Sequence, residues 1–184
     1  FLIIGILTLF YLNSIKPSII KDKTSNHIKI LNNTIENINR LKVKFNESDI
    51  KNFLFSTRFL FQNLDRVQIF DNKFKLIGDT DTLDLDPRAF SKKLEIIEMN
   101  DLNKERIKKK KEKKNKADKK NSFINSKVKD YSNSNNFGKP YTFTKETYDQ
   151  FLLITIKNVF SDNKNFGYLA IIENANDVKI AINE

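Results

Sequence analysis

Residues 66–86 read R-V-Q-I-F-D-N-K-F-K-L-I-G-D-T-D-T-L-D-L-D. Val67 and Ile69 mark one short β-type run, and Phe74, Leu76 and Ile77 mark a second. Between them stand Asp71, Asn72 and Lys73, which supply turn chemistry because short Asx side chains bond the nearby backbone and tolerate the left-handed region. The stretch predicts an antiparallel hairpin with one buried face and an acidic exit. Residues two apart on a strand share a face, so Val67 and Ile69 are expected to enter the core together.

The exit carries Asp79, Asp81, Asp84 and Asp86. A calcium loop of the EF-hand kind begun at Asp79 fails on spacing: Leu83 and Asp84 stand where an oxygen ligand and Gly belong, and Phe90 stands where Glu belongs. Asp86 followed by Pro87 instead suits the start of a helix, with Phe90, Leu94 and Ile97 as its apolar stripe.

Composition removes several function classes. The 184 residues contain no Cys, so neither a disulfide framework nor a thiolate metal site is available. The four glycines, Gly5, Gly78, Gly138 and Gly167, are far apart, which excludes a glycine-rich phosphate loop. Net charge is +10, but Lys104 to Lys120 hold eleven Lys or Arg and three acidic residues, leaving +2 for the rest. The basicity therefore belongs to one segment. Residues 101–127 are expected to be an exposed insertion, since Ile107 is almost their only early apolar residue. Without interleaved aromatics for base stacking, nucleic acid is not the expected partner; an anionic surface such as lipid headgroups fits the charge better.

Phe1 to Leu12 is almost wholly apolar. A full span takes about 20 apolar residues, and no small-residue cleavage site follows, so residues 1–16 are expected to be the end of a first transmembrane helix. Pro17 is expected to open a second helix, on which Ile28, Leu31, Ile35 and Ile38 form one stripe. The stripe suits packing on its own domain; it also matches a coiled-coil seam, though for fewer than the three heptads that reading wants. Residues 47–64 are expected to form a further helix, capped by Ser48 or Asp49, with its aromatic face in the core. Residues 131–140 read as loop, 151–159 and 167–172 as paired strands around a turn at 161–165, and 173–184 as a helix leading towards a second span. His27 is the only His and has no motif around it, so it is expected to face solvent on its helix.

The opening stretch also resembles a known hairpin. Extracytoplasmic sensor domains of bacterial two-component sensor histidine kinases of the ChvG/ExoS type carry roughly Arg-Val-x-Ile-aromatic-Asp, a variable turn, then Leu-Ile-x-Asp-Ser/Thr. Arg66, Val67, Ile69, Phe70, Asp71, Leu76, Ile77, Asp79 and Thr80 match that pattern here, and L-D-L-D-P-R-A-F at 83–90 extends it. The resemblance implies an α+β, PAS-like or PDC-like sensor domain over residues 17–172, with a small antiparallel sheet behind a long N-terminal helix. It implies a periplasmic domain of a bacterial inner-membrane kinase, relaying an envelope or acid-type signal. Implied partners are a second copy of the parent, a periplasmic regulatory protein and membrane lipid, with no cofactor. The alternative is a membrane-anchored interaction protein without kinase activity. Arg66, Asp71, Asp79, Asp81 and Asp84 are the candidate signal-responsive residues; no catalytic or metal-binding residue is expected. The sequence around His27 lacks the His-Glu-x-x-x-Pro setting of a phosphoacceptor, so this chain alone is expected to have no kinase activity.

Deleting Lys104 to Lys120 should leave the melting temperature within a few degrees of the parent chain, because the segment has little apolar surface to bury and loop entropy grows slowly with length. Circular-dichroism melts of the two chains measure it, and a larger fall would mean that the segment packs on the core.

Overall fold

The computed structural model describes the backbone of residues 2–82, 123–148, 150–161 and 164–178, with side chains from residue 17 onward. In chain order the elements are α1 (Leu2–Arg40), α2 (Glu47–Ser56), a 3-10 turn (Arg58–Phe61), β1 (Arg66–Asp71), β2 (Leu76–Asp79), α3 (123–132), β3 (Tyr141–Glu146), β4 (Phe151–Ser161) and β5 (Lys164–Asn174). The strands form one antiparallel sheet in the order β2-β1-β5-β4-β3. This is the α+β, PAS-like architecture expected, with the long helix at its N-terminal side. Among the described residues no helix is long and apolar enough to cross a membrane.

The core is built on both faces of the sheet, because β4 and β5 are buried on both. On one face Val67, Ile69, Val159, Leu169 and Ile171 pack under Leu31 and Ile38 of α1 and Ile50, Phe53 and Leu54 of α2. On the other, Phe70, Ile154, Ile156, Tyr168, Ala170 and Ile172 pack under Ile124, Val128 and Tyr131 of α3. Helices therefore cover both faces, where a sheet behind the N-terminal helix alone was expected. Strands covered on both faces read as continuous apolar runs, as F-L-L-I-T-I does at 151–156.

The first hairpin forms as expected, with Gln68 opposite Asp79 and Ile69 opposite Gly78. Val67 and Ile69 share the α1 face, each with no exposed surface. Phe74, however, belongs to the turn and not to a strand. The Asp71 carbonyl accepts from the Phe74 N–H at 3.1 Å, and Phe74 has φ 66°, a region bulky residues rarely adopt. This is a three-residue turn closed by a left-handed residue, a place that favours Gly. Phe74 is held there because its ring stacks on Tyr168 at 5.4 Å and its carbonyl accepts from the Asn125 amide at 2.6 Å.

Three other expectations change. Pro17 lies inside α1, which runs unbroken from Leu2 to Arg40, so one helix replaces two. The buried stripe of α1 is His27, Leu31, Thr34 and Ile38, while Ile28 and Ile35 are only half-buried beside it. The helix foreseen over 47–64 stops at Ser56 and gives way to the 3-10 turn. Its N-cap is Asn46, whose side-chain oxygen accepts from Asp49 N at 2.9 Å. That break turns Phe59 outward at 62% exposure, while Phe53 and Phe61 stay buried.

α3 and β3 were not foreseen. α3 overlaps the end of the segment expected to be an exposed insertion and the start of the expected loop. Its Tyr131 is buried, and its hydroxyl donates to the Lys139 carbonyl at 2.9 Å and accepts from Gly138 N at 3.2 Å, which fastens the loop before β3. Residues 83–122 and 179–184 lie outside the described residues, and so do the expected Asp86–Pro87 helix start, Asp84, the Lys-rich segment and the second half of the expected C-terminal helix.

Ile69 lies in the middle of β1, between helices and sheet. Ile69→Ala should lower stability by about 2–5 kcal/mol through lost transfer energy and the cavity left behind. Phe59→Ala, at an exposed site, should stay within about 0.5 kcal/mol. Urea titrations of the two variants compare them directly, and a wild-type midpoint for Ile69→Ala would remove Ile69 from the core.

Candidate functional site

Two polar clusters adjoin the end of β5, one on each face of the sheet. The first joins α1 to the strands. Lys23 and His27 are one helical turn apart and project from the same side of α1. His27 has no exposed surface. Its Nε2 lies 2.7 Å from Glu173 Oε2, and its Nδ1 lies 3.0 Å from Thr155 Oγ1. Lys23 Nζ donates to Glu173 Oε1 at 2.6 Å and lies 3.3 Å from Asp177 Oδ2. Thr155 Oγ1 in turn lies 3.0 Å from Thr142 Oγ1 on β3. The expected solvent-facing His27 is therefore overturned. A stripe spaced by four, three and four residues carries it into the sheet, and β4 and β5 supply partners for both ring nitrogens.

The electrostatics follow from this packing. The His27 hydrogen bond, helped by the Lys23 hydrogen bond and charge, holds the Glu173 carboxyl below its ordinary range, although burial opposes this. Burial works against the Lys23 charge, yet the hydrogen bonds and charges of Glu173 and Asp177 together hold its pKa above the ordinary value.

Carboxylate, imidazole and hydroxyl in this order have the outline of a nucleophilic triad. Burial argues against that use. Neither His27 nor Thr155 has exposed surface, so no substrate atom could approach the hydroxyl. The arrangement fastens α1 to the strands. Ile19 and Ile20 extend it by packing against Phe151, Leu153, Ala175 and Val178. The chain thus enters on α1 and leaves after β5 through the same junction.

The second cluster lies on the α3 face at the start of β1. Arg66 Nε donates to Asp79 Oδ1 at 2.9 Å and Nη2 to Oδ2 at 2.5 Å, a bidentate pair across β1 and β2. Gln68 Nε2 also donates to Asp79 Oδ2 at 3.0 Å, and Asp81 N donates to Oδ1 at 3.1 Å. Arg66, Gln68 and Asp79 are all buried. Burial disfavours the Arg66 charge, but the hydrogen bonds and charge of Asp79, with Asp81 adding to them, hold the guanidinium pKa above its ordinary value.

Of the five candidate residues, the structure brings together Arg66 and Asp79, with Asp81 exposed and 3.9 Å from Arg66 Nε. Asp71 is at the far end of β1, where its Oδ1 accepts from Lys73 N and Lys75 N, each at 2.8 Å, and shapes the turn. Among the described residues no group of three or more His, Cys, Asp or Glu is placed to hold a metal ion. Sequence reasoning missed Lys23, His27, Thr155 and Glu173. The available signal was the four-residue spacing of Lys23 and His27 on a helix already read as amphipathic.

No family model and no curated protein matches the chain. Among solved structures it is similar to the ligand-binding domain of the Campylobacter jejuni chemoreceptor Tlp3 in complex with L-norvaline, with 14% identity and a TM-score of 0.49. That match covers 93% of this chain and 59% of the other, so the chain spans under two thirds of that domain. The sensory domain of the same receptor with isoleucine bound gives 14% identity, coverage of 94% and 66%, and a TM-score of 0.34. At these values the likeness is one of outline and supplies no residue-by-residue correspondence.

Because the folded-state pKa of Glu173 is lowered, its contribution to stability is present above the unfolded value near 4.5 and is lost as pH falls through the folded value. Melting temperatures of the wild type and Glu173→Gln, taken from pH 6 downward, should differ most at pH 6 and converge in acid. A constant gap across the series would mean that the carboxylate charge is not what the junction uses.

Proposed function

We propose that the chain is the extracytoplasmic sensing region of a bacterial membrane signalling protein of the sensor histidine kinase type. The observation that carries this reading is the junction of Lys23 and His27 with Glu173 and Asp177. It fastens the entering helix beside the departing strand, as a domain set between two membrane passages requires. The hairpin pattern at Arg66–Thr80 supports the kinase type, and the apolar run Phe1–Leu12 supports anchoring. This is the same class of role as that of the Tlp3 domains, though the proposal rests on geometry and pattern and not on that likeness. A signal that binds two arrangements of the domain unequally shifts their populations, and the junction passes the shift to both chain ends. A second copy of the parent, a periplasmic regulatory protein and the lipid surface are the partners of this reading.

The Lys-rich segment is compatible with a periplasmic location. The positive-inside bias is counted within about 15–20 residues of a span, and Lys104 is far from Leu12 along the chain. An alkaline phosphatase fusion after Asn125 in bacterial cells should be active, and an inactive fusion with a cytoplasmic reporter reading in its place overturns the topology. Full-length protein with its cytoplasmic region should autophosphorylate on histidine. Its failure to do so, with the fusion still periplasmic, would favour the anchored interaction protein.

A further inference from the structure

At the end of the domain away from the junction, the C-terminus of α1 and the facing ends of β4 and β5, at Ser161 and Phe166, form an open cavity of about 590 Å³. That is within the range of small-molecule sites, roughly 300–1,000 Å³. One side is apolar. Val43, Phe45 and Phe166 form it, with the two rings tilted at a centroid distance of 6.0 Å. The Phe45 ring lies against Gly167, where a Cβ would come within 2.9 Å of the ring and 2.1 Å of the Phe70 carbonyl oxygen, so only glycine lets the ring pack this closely.

The other side is basic. Lys42 and Lys44 line the cavity beside Asn39 and Ser161, and the described lining residues include no carboxylate. Neither ammonium has an ion-pair partner among the described residues. Nor do the lysine side chains cap the helix. The carbonyls of Asn37, Ile38 and Asn39 already accept from the backbone N–H groups of Leu41, Val43 and Lys42. Lys42 has φ 51°, the left-handed position after a helix end where glycine is unstrained. Lys42 thus places a cationic side chain at a backbone position that favours glycine. Phe166 stays 39% exposed at the mouth.

We propose that this cavity binds a small amphipathic anion, a single carboxylate joined to an apolar or aromatic body. The body lies against Phe45 and Phe166, and the head lies between Lys42 and Lys44 with Asn39 as a further donor. The apolar contact supplies affinity, and the unpaired ammonium groups select the sign of charge. The site stands independently of the sensory reading, since it is defined by binding to the chain itself.

The test uses the full 184-residue chain and three probes of one shape: 3-(4-fluorophenyl)propionate, the corresponding alcohol and the corresponding amine. Binding is read from fluorine-19 line broadening. The carboxylate should bind saturably and about tenfold or more tighter than the other two. Lys42→Glu with Lys44→Glu should remove that preference, and Lys42→Arg with Lys44→Arg should keep it. These side chains are exposed, so both variants should melt like the wild type. Phe166→Ala should weaken all three probes alike. Equal affinity for the three probes, no saturation by the carboxylate at millimolar concentration, or a preference untouched by charge reversal each overturns the site. A loss of fold in Phe166→Ala leaves the lysine pairs to decide. Failure here leaves the periplasmic fusion result standing, so the two readings fail separately.

Discussion

An imidazole with no exposed surface needs partners for both ring nitrogens, and in this protein one partner comes from β4 and the other from β5. The rest of the arrangement depends on that requirement. Turning α1 about its axis would leave His27 and Thr155 in the interior without their partners. A buried polar group left without a hydrogen bond costs about 1–3 kcal/mol. The apolar neighbours Leu31 and Ile38 tolerate small slides, because dispersion is not directional. The polar group supplies what they lack: it sets a single rotation and height for the helix on the sheet.

The second buried group does the corresponding work for the hairpin. A one-residue slip of β1 against β2 would turn every side chain to the other face. It would also part Arg66 from Asp79, which meet as a two-pronged pair with Gln68 as a further donor. Both groups adjoin the last residues of β5, since Arg66 is paired with Ile172 and Glu173 follows it. The Asp65 carboxylate accepts from Asn174 N, one residue beyond Glu173. The two faces of the sheet are therefore referenced to the same short stretch, residues 172–174. Its conformation is shared by the entering helix, the first hairpin and the departing chain.

What the sequence made legible divides along physical lines. Both hairpins were readable from local signals, the first from period-two alternation around Asx turn residues and the second from two continuous apolar runs around a polar turn. α1 was readable as amphipathic, and Leu31 and Ile38 were rightly placed in its buried stripe, but Ile28 and Ile35 were named where His27 and Thr34 stand. Ile28 outranks His27 on hydropathy alone, and only the partners on β4 and β5, more than a hundred residues away, make His27 an interior residue. α3 was lost because Ile124, Val128 and Tyr131 sit beside a strongly charged segment whose composition hid their four-and-three spacing. Phe74 was assigned to a strand because its side chain suits one, whereas its backbone is set by stacking on Tyr168 and the bond from Asn125. Of the candidate residues, Arg66 and Asp79 do meet, although their burial makes them a register device before anything else. Asp71 shapes a turn. The residues that join the two chain ends carried no motif, because their chemistry exists only after the strands have paired.

The junction is graded in burial, and this bears on how a change could pass through it. Lys23 and Asp177 form the outer rim, at 3.3 Å, with the Asp177 side chain 55% exposed. Pairs of that kind are worth about 0–1 kcal/mol and exchange readily with water. His27 and Glu173 form the inner part, where one partner is fully buried. A small outward displacement of the chain after β5 therefore breaks Lys23–Asp177 first, at little cost, while the inner pair still holds the helix. Further displacement must part His27 from Glu173, and the penalty then rises steeply. A contact with a soft rim and a stiff centre does not deform in proportion to load. It holds one arrangement until the inner pair gives way, which is what the sensing role proposed above would require of it.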